Sequence, residues 1–492
     1  MRLFTALLPA LVALMAAGNG AWAADEIEPS VVKLAVTKRE PDYLRPWTKA
    51  SPSKVTGSGA VIAGGRILTN AHVVMHASEV FIQLREGGDQ HTARVLAVAP
   101  GMDLALIEPV DPSLLASVPP LELADELPRL KSQVSVYGYP TGGEDLSITN
   151  GIVSRVEFTN YNFGAAGVRV QVDAALNPGN SGGPAIQDGR IIGLVFSGIR
   201  EADNIGYLIP TEEIQTFLAD VSDGAYDGKP SIFESYQTAE NDAVRAFLEM
   251  TPETTGIIIA DTTEGDDYPL RRWDVITHVG AHAVDNQGYV AVRDGLRLKF
   301  LYYVQKLAVD GFVELTILRD GESQIVRVPV QADRDLLIPP LKDQYPEYFI
   351  YGPLVFSAAT QEYVRGLGST GLAMLLALDS PMLKRLQEPP SEPEEQLVIV
   401  ASRVFPHPIA KGYDNRPLGV IESMNGEPVT NLRRLAEMLR DCQDEYIRFE
   451  MADRSESLVF RTAQLRESTE EVLTDEGIRY QSSESLRDVF AE

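Results

Sequence analysis

Asn177-Pro178-Gly179-Asn180-Ser181-Gly182-Gly183-Pro184 is the stretch on which the architecture of this chain turns. Glycines on both sides of one serine let the backbone turn tightly without Cβ clashes, so the amides of Gly179 and Ser181 can point at an oxygen gaining negative charge. The segment reads as a nucleophile with its own oxyanion hole. A bare glycine-rich turn after a strand would be only a turn, and two upstream segments separate those readings. A serine nucleophile needs an imidazole to take its proton and a carboxylate to orient that imidazole. Arg66-Ile67-Leu68-Thr69-Asn70-Ala71-His72-Val73-Val74 is a short apolar strand followed by a histidine among small residues. Gly101-Met102-Asp103-Leu104-Ala105-Leu106-Ile107 places one acid at the head of an apolar strand.

The order His72, Asp103, Ser181 along the chain is that of the chymotrypsin architecture, and it differs from subtilisin and the α/β-hydrolases. From about Val31 to Leu218 the pattern is short runs rich in Val, Ile and Leu between Gly, Pro, Asn and Asp, as at Val80 to Leu84, Val134 to Tyr137 and Arg190 to Phe196. That spacing predicts an all-β barrel or sandwich. Glu212 to Leu218 has helical spacing and closes the domain.

Thr69 to Val74, Asp103 to Leu106, Gly138-Tyr139-Pro140, Asn150 to Ser154, Asp173 to Pro184 and Ile205 to Pro210 resemble, in order, the motifs of the HtrA (Do-like, DegP-like) serine proteases. Ala239-Glu240-Asn241, Trp273 to Ile276, Gln396 to Val400 and Asp441 to Tyr446 are most similar to the branch found in plant organelles and its bacterial relatives. The resemblance implies a mainly β fold: a chymotrypsin-like double β-barrel followed by two PDZ-like α+β domains. It also implies that His72 and Asp103 come from the first barrel and Ser181 from the second, with the site in the cleft between them. Trimers, or hexamers built from them, are implied as well.

The expected organisation is a signal peptide over 1–23, a protease domain over 24–222, a PDZ domain over 228–332, a divergent PDZ-like domain over 333–466 and an acidic tail over 467–492. Met1-Arg2, the apolar run Leu3 to Ala17 and Ala21-Trp22-Ala23 have the charged start, apolar centre and small-x-small exit of a secretory signal. The expectation is therefore an exported, periplasmic or otherwise extracytoplasmic protein with no membrane span after cleavage. An uncleaved anchor is the competing reading, opposed by the short run and by Pro9. The single cysteine, Cys442, leaves no intrachain disulfide. A formal net charge of −27 argues against nucleic-acid binding, which needs clustered Lys and Arg. Six scattered histidines suggest no metal site, and no nucleotide loop appears, so no cofactor is expected.

In the 228–332 region, Asn241 to Met250 reads as a helix, Gly256 to Ala260 and Trp273 to Val279 as strands, Leu296 to Leu307 as a helix and Phe312 to Leu318 as a strand. PDZ domains bind extended peptides or C-termini by adding a strand at a sheet edge, with a glycine-containing loop receiving the carboxylate. Ser231-Ile232-Phe233-Glu234 stands where the family has Leu-Gly and an apolar residue, so Phe233 and Glu234 should crowd and repel a carboxylate. The 333–466 region has a hairpin signal at Asn425-Gly426 and no carboxylate loop, which favours an assembly role over peptide binding.

The expected chemistry is peptide-bond hydrolysis by acyl transfer on unfolded or damaged protein and peptide substrates, without ATP. Ser181 attacks, His72 acts as base and then acid, Asp103 fixes the imidazole, and the Gly179 and Ser181 amides form the oxyanion hole. The substrate pocket is assigned to Ala175, Leu176, Phe196 and Ser197, and it suits a small or medium aliphatic side chain. Asp173, the nearest acid, can be structural. Loops at Pro140 to Leu146 and Phe158 to Val168 are the regulatory candidates, with Tyr161 and Phe163 able to dock by aromatic contacts. The rival reading is a holdase chaperone or PDZ scaffold with a latent protease site.

Overall fold

The computed structural model describes residues 27–84, 88–141, 143, 145–196, 206–262, 267–413, 419–453 and 456–490. The expected signal peptide and Ser197 lie outside the described residues.

Twelve strands form two closed six-stranded barrels. The first is built from β1 (Val31–Lys38), β2 (Ser53–Ile62), β3 (Arg66–Thr69), β4 (Ala77–Gln83), β5 (His91–Ala99) and β6 (Leu104–Pro109). The second contains β7 (Gln133–Gly138), β8 (Ser147–Asn160), β9 (Ala166–Val172), β10 (Pro184–Gln187), β11 (Arg190–Phe196) and β12 (Gly206–Pro210). Strand alternation sends one residue in two inward. Leu34, Ile67, Ile82 and Ile107 fill the first barrel, and Val168, Val170, Val172 and Leu208 fill the second. A third cluster seats the barrels on each other: Leu68, Leu104, Leu194 and Ile209 meet Ile214 and Phe217 of the helix Thr211–Asp220. The expected double barrel is the observed fold, with His72 and Asp103 in the segments that follow β3 and precede β6 and Ser181 just before β10.

A six-stranded sheet follows, made of β13 (Ser235–Thr238), β14 (Ile257–Asp261), β15 (Val275–Val279), β16 (His282–Ala283), β19 (Phe312–Arg319) and β20 (Glu322–Pro329), beside the hairpin of β17 (Tyr289–Arg293) and β18 (Leu296–Lys299). The helix expected over Leu296 to Leu307 is therefore half strand. Leu296 and Leu298 point into the core with period two, Gly295 turns the hairpin at φ 76°, and the helix begins at Leu301. That helix, Leu301–Leu307, docks on the second barrel: Tyr302 Oη donates to Glu212 Oε1 at 3.0 Å and Gln305 Nε2 to the Ala166 carbonyl at 2.9 Å.

The remaining residues form two small sheets, with the amphipathic helix Leu432–Asp441 burying Leu432, Leu435, Ala436 and Leu439. Asn425 and Gly426, at φ 53° and 85°, make the hairpin turn between Ile421–Met424 and Glu427–Pro428. Within the segment read as an acidic tail, Val472, Leu486 and Val489 are buried. This region reaches back to the first barrel, where Tyr345 Oη donates to the Arg39 carbonyl at 2.6 Å and Trp47 packs on Phe405. Among the described residues no helix is long and apolar enough to cross a membrane.

Candidate active site

β3 ends at Thr69, and Asn70 leads into the one-turn helix Ala71–Val74. Asn70 is fully buried and donates from Nδ2 to the Asp103 carbonyl at 2.9 Å, which ties the two segments together. Asp103 sits in the left-handed region at φ 58°, where non-glycine residues are uncommon. Its carboxylate meets His72 twice: Oδ1 accepts from the backbone N–H at 2.8 Å, and Oδ2 lies 2.7 Å from Nδ1. The Asp103 side chain is 1% exposed and that of His72 41%, so a buried acid holds a ring that faces the cleft. A proton on Nδ1, facing Asp103 Oδ2, would leave the Nε2 lone pair available to accept one.

The serine loop belongs to the second barrel but is clamped to the first through Ser58. The Ser58 N–H donates to the Ser181 carbonyl and its Oγ to the Gly179 carbonyl, both at 2.8 Å, while Oγ accepts from the Tyr139 N–H at 2.8 Å. Thr69 Oγ1 in turn donates to the Ser58 carbonyl at 2.8 Å. Gly182, at φ 84°, fits only as glycine, because a Cβ there would lie 2.2 Å from the Ser58 carbonyl oxygen. A Cβ on Gly57 would come 2.8 Å from Val73 and 3.5 Å from the Ser181 carbonyl oxygen. The nucleophile loop and the histidine helix therefore approach each other across one glycine.

The Thr141 N–H donates to the Pro178 carbonyl at 2.7 Å. In a trans peptide the C=O and N–H point opposite ways, so this bond turns the Gly179 N–H away from Thr141. Among the described residues neither the Gly179 nor the Ser181 amide donates to another protein group. Amides left without a protein partner are the donors an oxyanion needs. No hydrogen bond joins Ser181 Oγ to His72 Nε2 in this structure; catalytic bonds of this kind often tighten only with substrate bound.

The pocket residues are placed unevenly. Ala175 is exposed, and Leu176 covers Gly206, where a Cβ would lie 2.3 Å from it. Phe196 meets the His72 ring edge-on at 6.4 Å and 79°. Asp173 accepts from the Ile152 N–H at 2.6 Å, a structural bond. Tyr161 is folded inward, its Oη donating to the Val168 carbonyl. Phe163 stands at the tip of the loop with φ 54°. Ser58, Thr69, Asn70 and Arg169 were not singled out from the sequence. Only the small-residue run Gly57-Ser58-Gly59 signalled one of them, since glycine inside a strand marks close backbone approach.

Residues 57–194 match the trypsin-like peptidase domain, and residues 339–485 match the PDZ domain. Protease Do-like 4, mitochondrial, of Arabidopsis thaliana is 36% identical over 453 residues, spanning 90% of this chain and 83% of its own length. Protease Do-like 2, chloroplastic, of the same plant is 32% identical over 470 residues, spanning 94% and 76%. The solved HtrA-type protease AlgW with tripeptide is 23% identical, covering 62% of this chain and 95% of its own, with a TM-score of 0.48.

Proposed function

The chain belongs to the Do-like (HtrA) family of serine endopeptidases, and on that premise we propose that it degrades unfolded or damaged proteins, without ATP, through Ser181, His72 and Asp103. The observation that carries this reading is the pairing of a buried, bidentate Asp103 on His72 with two unpartnered amides at Gly179 and Ser181.

The steps follow from these positions. Ser181 Oγ attacks the substrate carbonyl carbon while His72 Nε2 takes its proton, and the oxygen that becomes anionic accepts from the Gly179 and Ser181 amides. His72 returns the proton to the leaving amine, leaving an acyl-enzyme. Water, deprotonated by the same nitrogen, releases the acid and restores the serine. Asp103 holds the tautomer and offsets the imidazolium charge.

A protein exported by its N-terminal signal and assembled as a trimer or hexamer completes this reading. Terminal-carboxylate capture by the first α+β domain is disfavoured by Glu234, which is 7% exposed, stands in the loop and accepts from Tyr236 Oη at 3.2 Å, and by Tyr236, which packs edge-on against Phe300 at 5.1 Å. Tyr161 and Phe163 belong to the loop that regulates the site. The alternative is a holdase or PDZ scaffold in which the same residues are present but rarely assembled for hydrolysis.

Intact-mass detection of a fluorophosphonate adduct, with and without an unfolded protein and with Ser181→Ala as control, separates them. Labelling that requires Ser181 is expected, rising with unfolded protein. A folded sample unlabelled under both conditions would shift the function to the holdase.

A further inference from the structure

Arg169 lies on the outer face of β9, yet it is 2% exposed, and neither Nη1 nor Nη2 has a hydrogen-bond partner. Its guanidinium sits between two rings, with Cζ 3.3 Å from the centroid of Tyr161 and 4.0 Å from that of Phe196. Phe196 is the ring that meets His72 edge-on. Tyr161, Arg169, Phe196 and His72 thus form a continuous stack from the β8–β9 loop to the base. Burial draws the Arg169 pKa below the ordinary arginine value, while Tyr161, Asp103 and Glu213 act in the opposite sense.

A buried guanidinium with two unsatisfied nitrogens is costly. An aliphatic side chain would fill the same slot without that cost, so packing alone does not account for it. What the cation adds is attraction to both ring faces, with a flat shape that two rings can grip. The Phe196 backbone is fixed by pairing with Tyr207 and its ring is gripped by Arg169, so the contact of that ring with the imidazole is set by the stack as well as by the strand.

We infer that Arg169 is a positioning residue for hydrolysis: gripped by Tyr161, it fixes Phe196 against His72 and so keeps Nε2 in register with Ser181. This rests on the triad reading above.

The test compares wild type, Arg169→Met, Arg169→Lys and Tyr161→Leu in the full mature chain. Each is followed by peptide turnover, by the rate of fluorophosphonate addition at Ser181, and by active-site titration to count competent molecules. Arg169→Met is expected to lose about 10- to 100-fold in kcat per titrated site, the scale of a small misplacement of a catalytic group, with KM changed less than about threefold. Arg169→Lys keeps the charge without the flat fork and is expected to recover only part. Tyr161→Leu, which leaves Arg169 in place, should show the same kcat-specific loss and decides the matter if Arg169→Met does not fold. Wild-type kcat per site in a folded Arg169→Met or Tyr161→Leu protein overturns the inference, as does a loss confined to the number of competent sites. If the wild type itself is not labelled at Ser181, the triad reading fails first and this one with it.

Discussion

Replacing Lys229 with Met tests what holds β9 and the inter-domain linker together. Lys229 Nζ lies 2.7 Å from Glu213 Oε2, and both side chains are 6% exposed. The other oxygen, Oε1, accepts from the Val168 N–H at 2.7 Å, one residue before Arg169. A Cβ on Gly167 would come within 2.3 Å of Nζ and 2.4 Å of Oε1, so the pair rests directly on the strand backbone. Burial draws the Lys229 pKa below its ordinary value and Glu213 opposes that shift, which is the mark of a pair whose attraction works against desolvation. Lys229→Met keeps the stem and strands a buried carboxylate, a loss of about 3–5 kcal/mol. Adding Glu213→Gln removes the orphan charge while keeping an oxygen for Val168, so the double variant should lose only about 1–2 kcal/mol. Residual fluorophosphonate labelling of Ser181 against urea concentration reports the protease domain alone, which matters in a chain of several domains. With a urea slope of about 2 kcal/mol/M, the single variant should move the midpoint down by about 2 M and the double by less than about 1 M. A single variant within about 0.3 M of wild type, or a double worse than the single, would refute the reasoning.

Gly179→Ala at φ 100° would drive its Cβ to 2.4 Å from the Tyr139 carbonyl oxygen and 2.5 Å from the Thr141 nitrogen; turnover should fall by at least about 100-fold, and a variant retaining a third of wild-type activity would contradict the oxyanion assignment. Burial, then Tyr303 and Glu213, push Tyr302 from 10.0 up to about 12. A raised folded pKa means stability that is fully present below pH 10 and lost as pH rises through about 12. Cleavage by an added protease in the 223–230 linker should therefore accelerate over that window, and Tyr302→Phe should flatten the rise; an unchanged rise in the variant would exclude Tyr302 as its source. Phe163→Ala should keep the fold and lower casein turnover, and equal cleavage by variant and wild type would remove Phe163 from the regulatory loop.

What could be read from the sequence was local. His72, Asp103 and Ser181 each sit where an apolar strand meets small or turn-forming residues, a contrast that survives without knowing the partner strand. Short apolar runs with regular breaks made an all-β barrel or sandwich readable for the same reason, while the pairing of two barrels came from the family resemblance. The error at Leu296 to Leu307 arose because Leu296 and Leu298 belong to a two-residue strand period, while the residues from Leu301 follow the helical one. A reading that joined them had no turn signal between, since Gly295 comes before both.

The unread residues are those whose roles exist only between elements. Alternation in Gly167-Val168-Arg169-Val170-Gln171-Val172 sends the valines into the barrel and Arg169 outward, which is correct. Outward ordinarily means solvent. Here the outer face of β9 is covered by Tyr161 and Phe196, and nothing in β9 itself announces either ring. Ser58 is likewise a plain strand residue until the two barrels meet, when its hydroxyl bonds the serine loop, and Thr69 supports it from the neighbouring strand. The residues proposed to form bonds during hydrolysis are thus encoded within single segments, and those that hold the segments together act between elements. On the proposed triad, a substitution that breaks the Ser58 clamp, such as Ser58→Ala, should therefore lower kcat while leaving the His72–Asp103 pair intact, because that pair is bonded within the first barrel and Ser181 is tied to it through Ser58.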